Sequence, residues 1–240
     1  FAMNNIKFKL SLVAAFIIVA CGMVSLFNNV CSLYVSNILP EWKPKKTIVI
    51  DPGHGGYDPG KVGITGILEK DINLSISLLL KTELEKNGCK VVMTRTDDNE
   101  LCSPDCNNKK TDDLNHRIEI IEKTKPEFVI SIHQNSFPDT SVSGAQVFYY
   151  GSEESVTNDS GSLAEYIQNA LIRLQNPDNH RQAKANTSYY LLKNTTCPVV
   201  IVECGFLSNY SEESLLNDTA YQEKTASAIC QGILDYINAN

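Results

Sequence analysis

Three side chains that bind metals or carry protons follow or end apolar runs of the kind that form buried strands. His54 comes shortly after the run Thr47–Asp51. His133 ends the run FVISIH, and Glu203 ends the run PVVIVE. Because ligands of an open α/β sheet bind outside the carboxyl ends of its strands, we expect these side chains to converge there. Two His and one carboxylate leave a tetrahedral zinc with one open position, so the pattern predicts a catalytic metal site.

A second carboxylate belongs to the same group of candidates. Glu69 lies 15 residues after His54, just before a helix predicted to start near Asp71. One carboxylate can then complete the metal site while the other takes a proton and returns it to a leaving nitrogen. Glycines in the segment IVIDPGHGGYDPG let the backbone turn sharply around His54. Asp51 or a backbone carbonyl is the expected partner that fixes the tautomer of His54.

Other reactive side chains are weaker candidates. A single His after a strand is usually structural, and His116 lies on a predicted helix among charged residues. His180 lies in the polar segment NPDNHRQA, where it could border a site. Cys204 could act as a nucleophile, but it adjoins Glu203 on a strand and should therefore point to the opposite face. The sequence contains no HExxH motif, which argues against an ordinary zincin.

The elements that must position these residues alternate along the chain. Strands that alternate with helices predict a single α/β domain, with a twisted and mostly parallel sheet flanked by helices. The predicted helices are Ile72–Lys86, LNHRIEIIEKTK, GSLAEYIQNALIRLQ and Ala220–Asn238. The predicted strands are Thr47–Asp51, CKVVMTR, EFVISIH, AQVFYY, YYLLK and PVVIVEC.

The first 46 residues differ from the rest of the chain. Lys7 and Lys9 precede 18 uncharged residues from Leu10 to Phe27, which predicts a secretory signal or an uncleaved membrane anchor. A tether follows this uncharged run. We therefore expect residues 1–46 to form a signal or membrane segment with its tether, and residues 47–240 to form the folded domain. Cys21 ends the lipobox-like IVAC and is either a lipidated residue or an apolar Cys of a membrane helix.

The charge of the domain excludes one class of partner. The first 46 residues hold five Lys and one Glu, which leaves 16 basic and 27 acidic residues beyond them. A domain with that net negative charge is a poor match for nucleic acid. We therefore expect an acidic domain outside the cytoplasm, on the far side of a membrane.

Five motifs in order carry a resemblance to a known family. They are IVIDPGHGGYDPG, EKDINL, Thr94-Arg95, FVISIHQN and VVIVECGFLSN. Together they resemble the zinc-dependent N-acetylmuramoyl-L-alanine amidases of the type-3 family over nearly all of residues 47–240. The resemblance implies a sheet of about six strands. It also implies one zinc ion held by His54, Glu69 and His133, with Glu203 as the catalytic carboxylate and Arg181 as a substrate contact.

The family cleaves the amide between the lactyl group of N-acetylmuramic acid and the L-alanine of the peptidoglycan stem peptide. One domain behind a membrane segment resembles the CwlD-type amidases, which act on spore-cortex peptidoglycan on the way to muramic-δ-lactam. Clostridial relatives of that type need a lipoprotein partner for activity. The resemblance thus implies an exported or membrane-anchored enzyme of the cell wall or the spore intermembrane space, with a role in sporulation or germination.

Two other functions use the same residues. A peptidase that trims the stem peptide would need the same metal and carboxylate, and the products released from peptidoglycan would distinguish it. A wall-binding protein that kept only the fold would be expected to lose at least one of the four site residues. The polar segment 99–113 is either an inserted loop or a partner surface, and Cys102 and Cys106 within it are spaced for a disulfide or half of a metal site.

Overall fold

The computed structural model describes residues 22–25, 27, 46–103, 105–151 and 159–240. The chain divides into two units, Phe1–Pro44 and Lys45–Asn240. In the first unit, residues 22–25 and 27 are helical, and the rest of the predicted signal or membrane segment, including Cys21, lies outside the described residues. No helix in the described part of the chain combines the length and the apolar character that a membrane span needs.

The second unit is built on a sheet of six strands in the order β2-β1-β3-β6-β4-β5. All neighbouring strands pair in parallel except β4 and β6, which pair antiparallel. The predicted α/β domain with a mostly parallel, six-stranded sheet is therefore confirmed. The strands are β1 (Thr47–Pro52), β2 (Lys90–Met93), β3 (Phe128–Asn135), β4 (Gln146–Tyr149), β5 (Lys184–Ala185) and β6 (Val199–Phe206).

Helices cover both faces of this sheet. The first of them, α1, places Ile72, Ile76, Leu80 and Leu84 one turn apart, and all four are buried. The α3 helix continues into a π-helical turn, Leu171–Gln175. The helices are α1 (Glu69–Lys86), α2 (Lys109–Thr124), α3 (Ser160–Ala170), α4 (Tyr190–Asn194), α5 (Tyr210–Leu216) and α6 (Thr219–Ala239).

Successive residues of each strand face two different cores. One core lies between the sheet and α1, α3 and α6, and its buried strand residues are Ile48, Ile50, Phe128, Ile130, Ile132, Val147, Val200, Val202 and Cys204. The smaller core lies against α2 and α4, and its strand residues are Val49, Val129, Phe148, Val199 and Ile201. Side chains alternate along a strand. The polar residues that follow the smaller core in this alternation, among them His133 and Glu203, therefore lie at the carboxyl edge of the sheet on the face covered by α2 and α4.

Two local predictions were wrong. The run YYLLK was expected to be a strand, but it enters α4, where the consecutive residues Leu191 and Leu192 are both buried. The Asn186 side chain accepts hydrogen bonds from the backbone N–H groups of Ser188 and Tyr189 and so turns the chain before the helix. The segment 99–113 was expected to be a loop, but its last five residues belong to α2, which Asn108 caps.

Candidate active site

A row of residues crosses the carboxyl edge of the sheet. His133 pairs in register with Glu203, and Glu203 pairs with Gln146. Gly53 follows the last residue of β1 and donates its N–H to the carbonyl of Ile132, so it stands beside His133. Residues paired across strands point to the same face of a sheet. The row thus brings His133 and Glu203 together, as the sequence predicted.

His54 lies in the turn after β1 and is held by a carboxylate in the same turn. Its backbone has a φ of 60°, which is unusual for a residue other than glycine. Its Nδ1 is 2.8 Å from Oδ2 of Asp58, while Oδ1 of Asp58 accepts the N–H of Gly60. This arrangement leaves Nε2 of His54 facing Glu69. The expected tautomer partner was Asp51 or a backbone carbonyl, and that prediction was wrong.

Glu69 is the first residue of α1 and points its buried carboxylate at both histidines. Its Oε1 is 3.2 Å from Nε2 of His54 and 3.0 Å from Nδ1 of His133. The backbone N–H of Lys61 donates to Oε2, and that of Gln134 donates to Oε1. Burial by itself would raise the pKa of Glu69, but the two histidines hold it well below its ordinary value. The start of a helix also favours a negative charge.

These three residues fit a metal ion. One donor atom from each of His54, Glu69 and His133 lies within 4.8 Å of the others. A tetrahedral zinc with bonds near 2.0–2.1 Å places its donor atoms about 3.3 Å apart, close to the 3.2 Å and 3.0 Å that separate Oε1 of Glu69 from the two His nitrogens. Two glycines leave the room these side chains need. A Cβ at Gly53 would stand 2.2 Å from the His133 ring, and one at Gly60 would stand 2.5 Å from Oε2 of Glu69.

Glu203 stands beside this cluster with an unsatisfied carboxylate oxygen. The residue is only 7% exposed, and its Oε2 has no hydrogen-bond partner within the described part of the chain. Burial raises the pKa of Glu203 to about 7, with the charge of Glu69 adding to the shift and the histidines opposing it. Glu203 and the three candidate ligands line one cavity of about 480 Å³. A buried, unpaired carboxylate in a cleft is the expected form of a group that exchanges protons.

Two buried arginines hold the turn that carries His54. Arg117 donates to the carbonyls of Pro52 and His54 and to Oδ1 of Asp51. Arg95 donates to the carbonyls of Pro52 and Gly53. Burial would raise the pKa of Asp51. The charge of Arg117, together with hydrogen bonds from Thr94, Ser131 and Arg117, lowers the pKa of Asp51 to about 2 instead. Sequence reasoning missed Arg117, since it comes 66 residues after Asp51 on a helix.

Arg181 lies at the flank of this site and outside the residues that line the cavity. Its Nε donates to the carbonyl of Ser143, and its Nη1 donates to Oε1 of Gln146. The guanidinium lies 4.7 Å from the centre of the Phe206 ring. The contact with Gln146, which pairs with Glu203, places Arg181 one strand away from the catalytic candidate.

The other candidates take no part in the cluster. His180 is exposed, and His116 lies on α2 with its Nδ1 2.9 Å from the Asp112 carbonyl. Cys204 is fully buried in the larger core, on the opposite face from Glu203 as expected, and burial raises its pKa strongly. A buried neutral thiol on the wrong face cannot serve as the nucleophile. Cys102 and Cys106 are both free.

An open α/β sheet that carries a His-Glu-His cluster able to hold a metal ion, with a buried carboxylate beside it at the carboxyl edge, has the features expected of a metal-dependent hydrolase. A family model described as N-acetylmuramoyl-L-alanine amidase matches residues 48–235, so the chain belongs to that family. It is 41% identical over 205 residues to the germination-specific N-acetylmuramoyl-L-alanine amidase of Bacillus subtilis. That match covers 81% of this chain and 84% of the relative.

Solved structures show the same likeness. The CwlD amidase from Clostridioides difficile, solved in complex with the GerS lipoprotein, is 41% identical with a TM-score of 0.77, and the match covers 82% of this chain and 100% of that one. AmiC2 of Nostoc punctiforme is 32% identical with a TM-score of 0.70, over 82% of this chain and 99% of that one. The resemblance inferred from the five motifs is therefore confirmed. The chain is a peptidoglycan amidase that hydrolyses the bond between N-acetylmuramic acid and L-alanine.

Proposed function

We propose that this amidase depends on one zinc ion and acts on spore-cortex peptidoglycan, in the maturation step that leads to muramic-δ-lactam. The observation that supports it most is the buried Oε2 of Glu203, which has no partner among the described residues and shares a cavity with the His-Glu-His cluster. A protein that only binds the cell wall has no use for an unpaired buried carboxylate, which costs free energy.

In this proposal His54, Glu69 and His133 hold the metal and Glu203 moves protons. A bound zinc ion polarises a carbonyl and lowers the pKa of a water. Glu203 takes the proton of the attacking water and returns it to the nitrogen of L-alanine as the amide bond breaks. Burial raises the pKa of Glu203 in the metal-free chain, which helps this carboxylate to hold the proton that it takes from the water.

The test compares zinc content and amide cleavage in the same purified variants. Glu203→Gln keeps the size of the side chain but cannot accept a proton. We expect it to lose about a hundredfold to ten-thousandfold in turnover while zinc stays bound. Glu223→Gln, on an exposed position of α6, is the matched control and should retain full activity. Cleavage by Glu203→Gln near the wild-type rate would exclude the proton-transfer role, and loss of zinc in that variant would make Glu203 a ligand instead.

The role in the spore cortex is supported by the likeness to a germination-specific amidase. A strain that lacks this chain should form spores whose cortex contains no muramic-δ-lactam, and the wild-type gene should restore the lactam. Mass spectrometry of digested cortex measures it directly. Unchanged lactam in the deletion strain would contradict the cortex role while leaving the amidase activity in place.

Two further parts of the proposal concern partner and location. One solved relative of this chain was captured with a lipoprotein, which supports a lipoprotein partner here as well. The uncharged run Leu10–Phe27 supports export with the domain outside the cytoplasm, anchored or processed at the membrane. Zinc content and activity measured with and without a candidate lipoprotein test the first part. Fractionation of the native cell tests the second, and recovery of the chain in the cytosol would contradict it.

Arg181 contacts the substrate in this proposal. Its Nε and Nη1 are held by Ser143 and Gln146, whereas its Nη2 makes no hydrogen bond to the described residues. A guanidinium fixed in this way presents one free pair of donors to a carbonyl or carboxylate of the stem peptide. Arg181→Ala should raise KM for peptidoglycan with zinc content unchanged. Arg173→Ala, at an exposed ion pair with Asp235, is the control and should leave KM unchanged.

A further inference from the structure

A buried amide lies beneath the candidate metal ligands. Asn73 is fully buried and follows Glu69 by one turn of α1, so both side chains leave the same face of the helix. A buried amide must satisfy two N–H donors and one carbonyl acceptor to offset the loss of water. In Asn73 each of these groups has a partner, and the partners belong to three separate segments.

The three partners are the segments that carry the three candidate ligands. Nδ2 of Asn73 donates to the carbonyl of Gly53, the residue before His54, at 3.1 Å. The same Nδ2 donates to Oε1 of Glu69 at 3.3 Å. Oδ1 of Asn73 accepts from Nε2 of Gln134, the residue after His133, at 3.2 Å. One side chain thus touches the turn after β1, the start of α1 and the end of β3.

The partners themselves determine the orientation of this amide. The Gly53 carbonyl and the Glu69 carboxylate can only accept hydrogen bonds, so both must face the NH₂ group of Asn73. The same Glu69 oxygen faces Nε2 of His54 and Nδ1 of His133. A change in the position of the Asn73 amide therefore moves the oxygen that stands between the two histidines.

We propose that Asn73 is a positioning residue that sets the relative placement of His54, Glu69 and His133, so that the affinity for the metal depends on its amide. The inference rests on the proposed zinc site. Arg95 also donates to the Gly53 carbonyl, so that turn keeps one support when Asn73 is removed. Glu69 loses a hydrogen bond from its own helix, and Gln134 loses its direct link to α1. The donor atoms are then free to separate when no metal holds them.

The test measures the zinc dissociation constant of the full-length chain by competition with a chelator, and separately its free energy of unfolding without metal. Asn73→Ala should weaken zinc binding by about 10- to 100-fold, as loss of an outer contact to a metal ligand commonly does. Gln134→Met keeps the length of the side chain and removes the link to Oδ1 while both Nδ2 bonds of Asn73 remain, so it should give a smaller loss. Ser77→Ala is the control, because Ser77 is equally buried on α1 and its Oγ has no partner among the described residues.

Each outcome separates positioning from a merely structural role. A positioning role predicts weaker zinc binding by the folded protein and altered visible bands when cobalt replaces zinc. A structural role predicts a lower free energy of unfolding for Asn73→Ala with an unchanged zinc dissociation constant, and that result would overturn the inference. If Asn73→Ala does not fold, unchanged zinc affinity in Gln134→Met overturns it. Absence of zinc from the wild-type protein would instead overturn the zinc proposal itself.

Discussion

At the scale of single residues, the site depends on side chains with more than one bond to make. Asp58 uses one oxygen for Nδ1 of His54 and the other for the N–H of Gly60. Both partners of Asp58 donate, so both of its oxygens must accept. A carboxylate that fixes the ring of a metal-binding His in this way also sets which nitrogen is left for the metal.

Asp58→Asn should therefore weaken zinc binding by about 10- to 100-fold. The amide of Asn has only one acceptor oxygen. Its NH₂ group must therefore face either the N–H of Gly60 or Nδ1 of His54, and one of the two hydrogen bonds is lost. Competition with a chelator measures the affinity. Asp139→Asn is the matched control, since Asp139 is exposed and its carboxylate accepts hydrogen bonds from Ser141 within its own loop. Equal zinc affinity in Asp58→Asn and the wild type would show that Asp58 does not orient His54.

The sequence located some of these residues and not others for a physical reason. His133 and Glu203 end apolar runs, and an apolar run marks a buried strand whose end can be placed within a few residues. Asp58 acts through the geometry of a turn, and Asn73 acts through the position of a helix against two strands. Neither relation is encoded in local periodicity, so these partners became visible only in the folded chain.

At the scale of elements, the end of β1 is shaped by the space that its neighbour needs. The His133 ring on β3 occupies the position where a side chain at Gly53 would stand, with three ring atoms within 2.6 Å of a Cβ built there. Arg95 and Arg117 also hold the turn after β1 through hydrogen bonds to the carbonyls of Gly53 and His54. Neither the ring nor the turn has room to yield without moving a candidate ligand.

Gly53→Ala should for this reason displace His133 and abolish most zinc binding and most turnover. Gly161→Ala tests the same change on α3, where the nearest atom to a Cβ is 3.5 Å away on the Tyr149 ring. That control should keep full activity and gain up to about 1 kcal/mol of stability from helix propensity. Zinc content and cleavage are measured on both. Normal zinc content in Gly53→Ala would show that the turn can adjust.

The ion pair between Asp51 and Arg117 joins β1 to α2, and its contribution to stability should depend on pH. The pKa of Asp51 is about 2 in the folded chain and 3.8 ordinarily. A lowered folded-state pKa gives stability that is present above about pH 4 and is lost as the pH falls toward 2. The shift corresponds to about 2 kcal/mol. Asp51→Asn removes the charge at every pH and should cost about 3 kcal/mol at pH 7.

The measurement is urea unfolding of the metal-free chain between pH 7 and pH 2. The difference between the wild type and Asp51→Asn should be constant above pH 4 and shrink below it, because a protonated Asp51 resembles Asn. Other carboxylates titrate in both proteins and cancel in the difference. A gap that stays constant down to pH 2 would mean that folding does not lower the pKa of Asp51.

At the scale of the whole molecule, the predicted α/β architecture was confirmed. The division of the chain into a signal or membrane segment, residues 1–46, and a catalytic domain, residues 47–240, stays a prediction. Strand and helix alternation was enough to predict the parallel sheet, because each element has its own hydrophobic period. The run YYLLK was wrongly assigned, since five mostly apolar residues fit a short helix as well as a strand. The role predicted for residues 1–46 falls largely on positions outside the described residues.

Removal of residues 1–44 should leave a soluble chain that folds and cleaves peptidoglycan. The second unit begins at Lys45, and the Lys46 carbonyl accepts the N–H of Lys90 at the start of the β1–β2 pairing. The Thr47 carbonyl accepts the N–H of Glu127, so truncation before Lys45 keeps both bonds. The two cores are also formed within residues 48–236. Cooperative urea unfolding, zinc content and cleavage should match those of the full chain. A shortened chain that aggregates or unfolds without cooperativity would show that the first unit is needed for the fold.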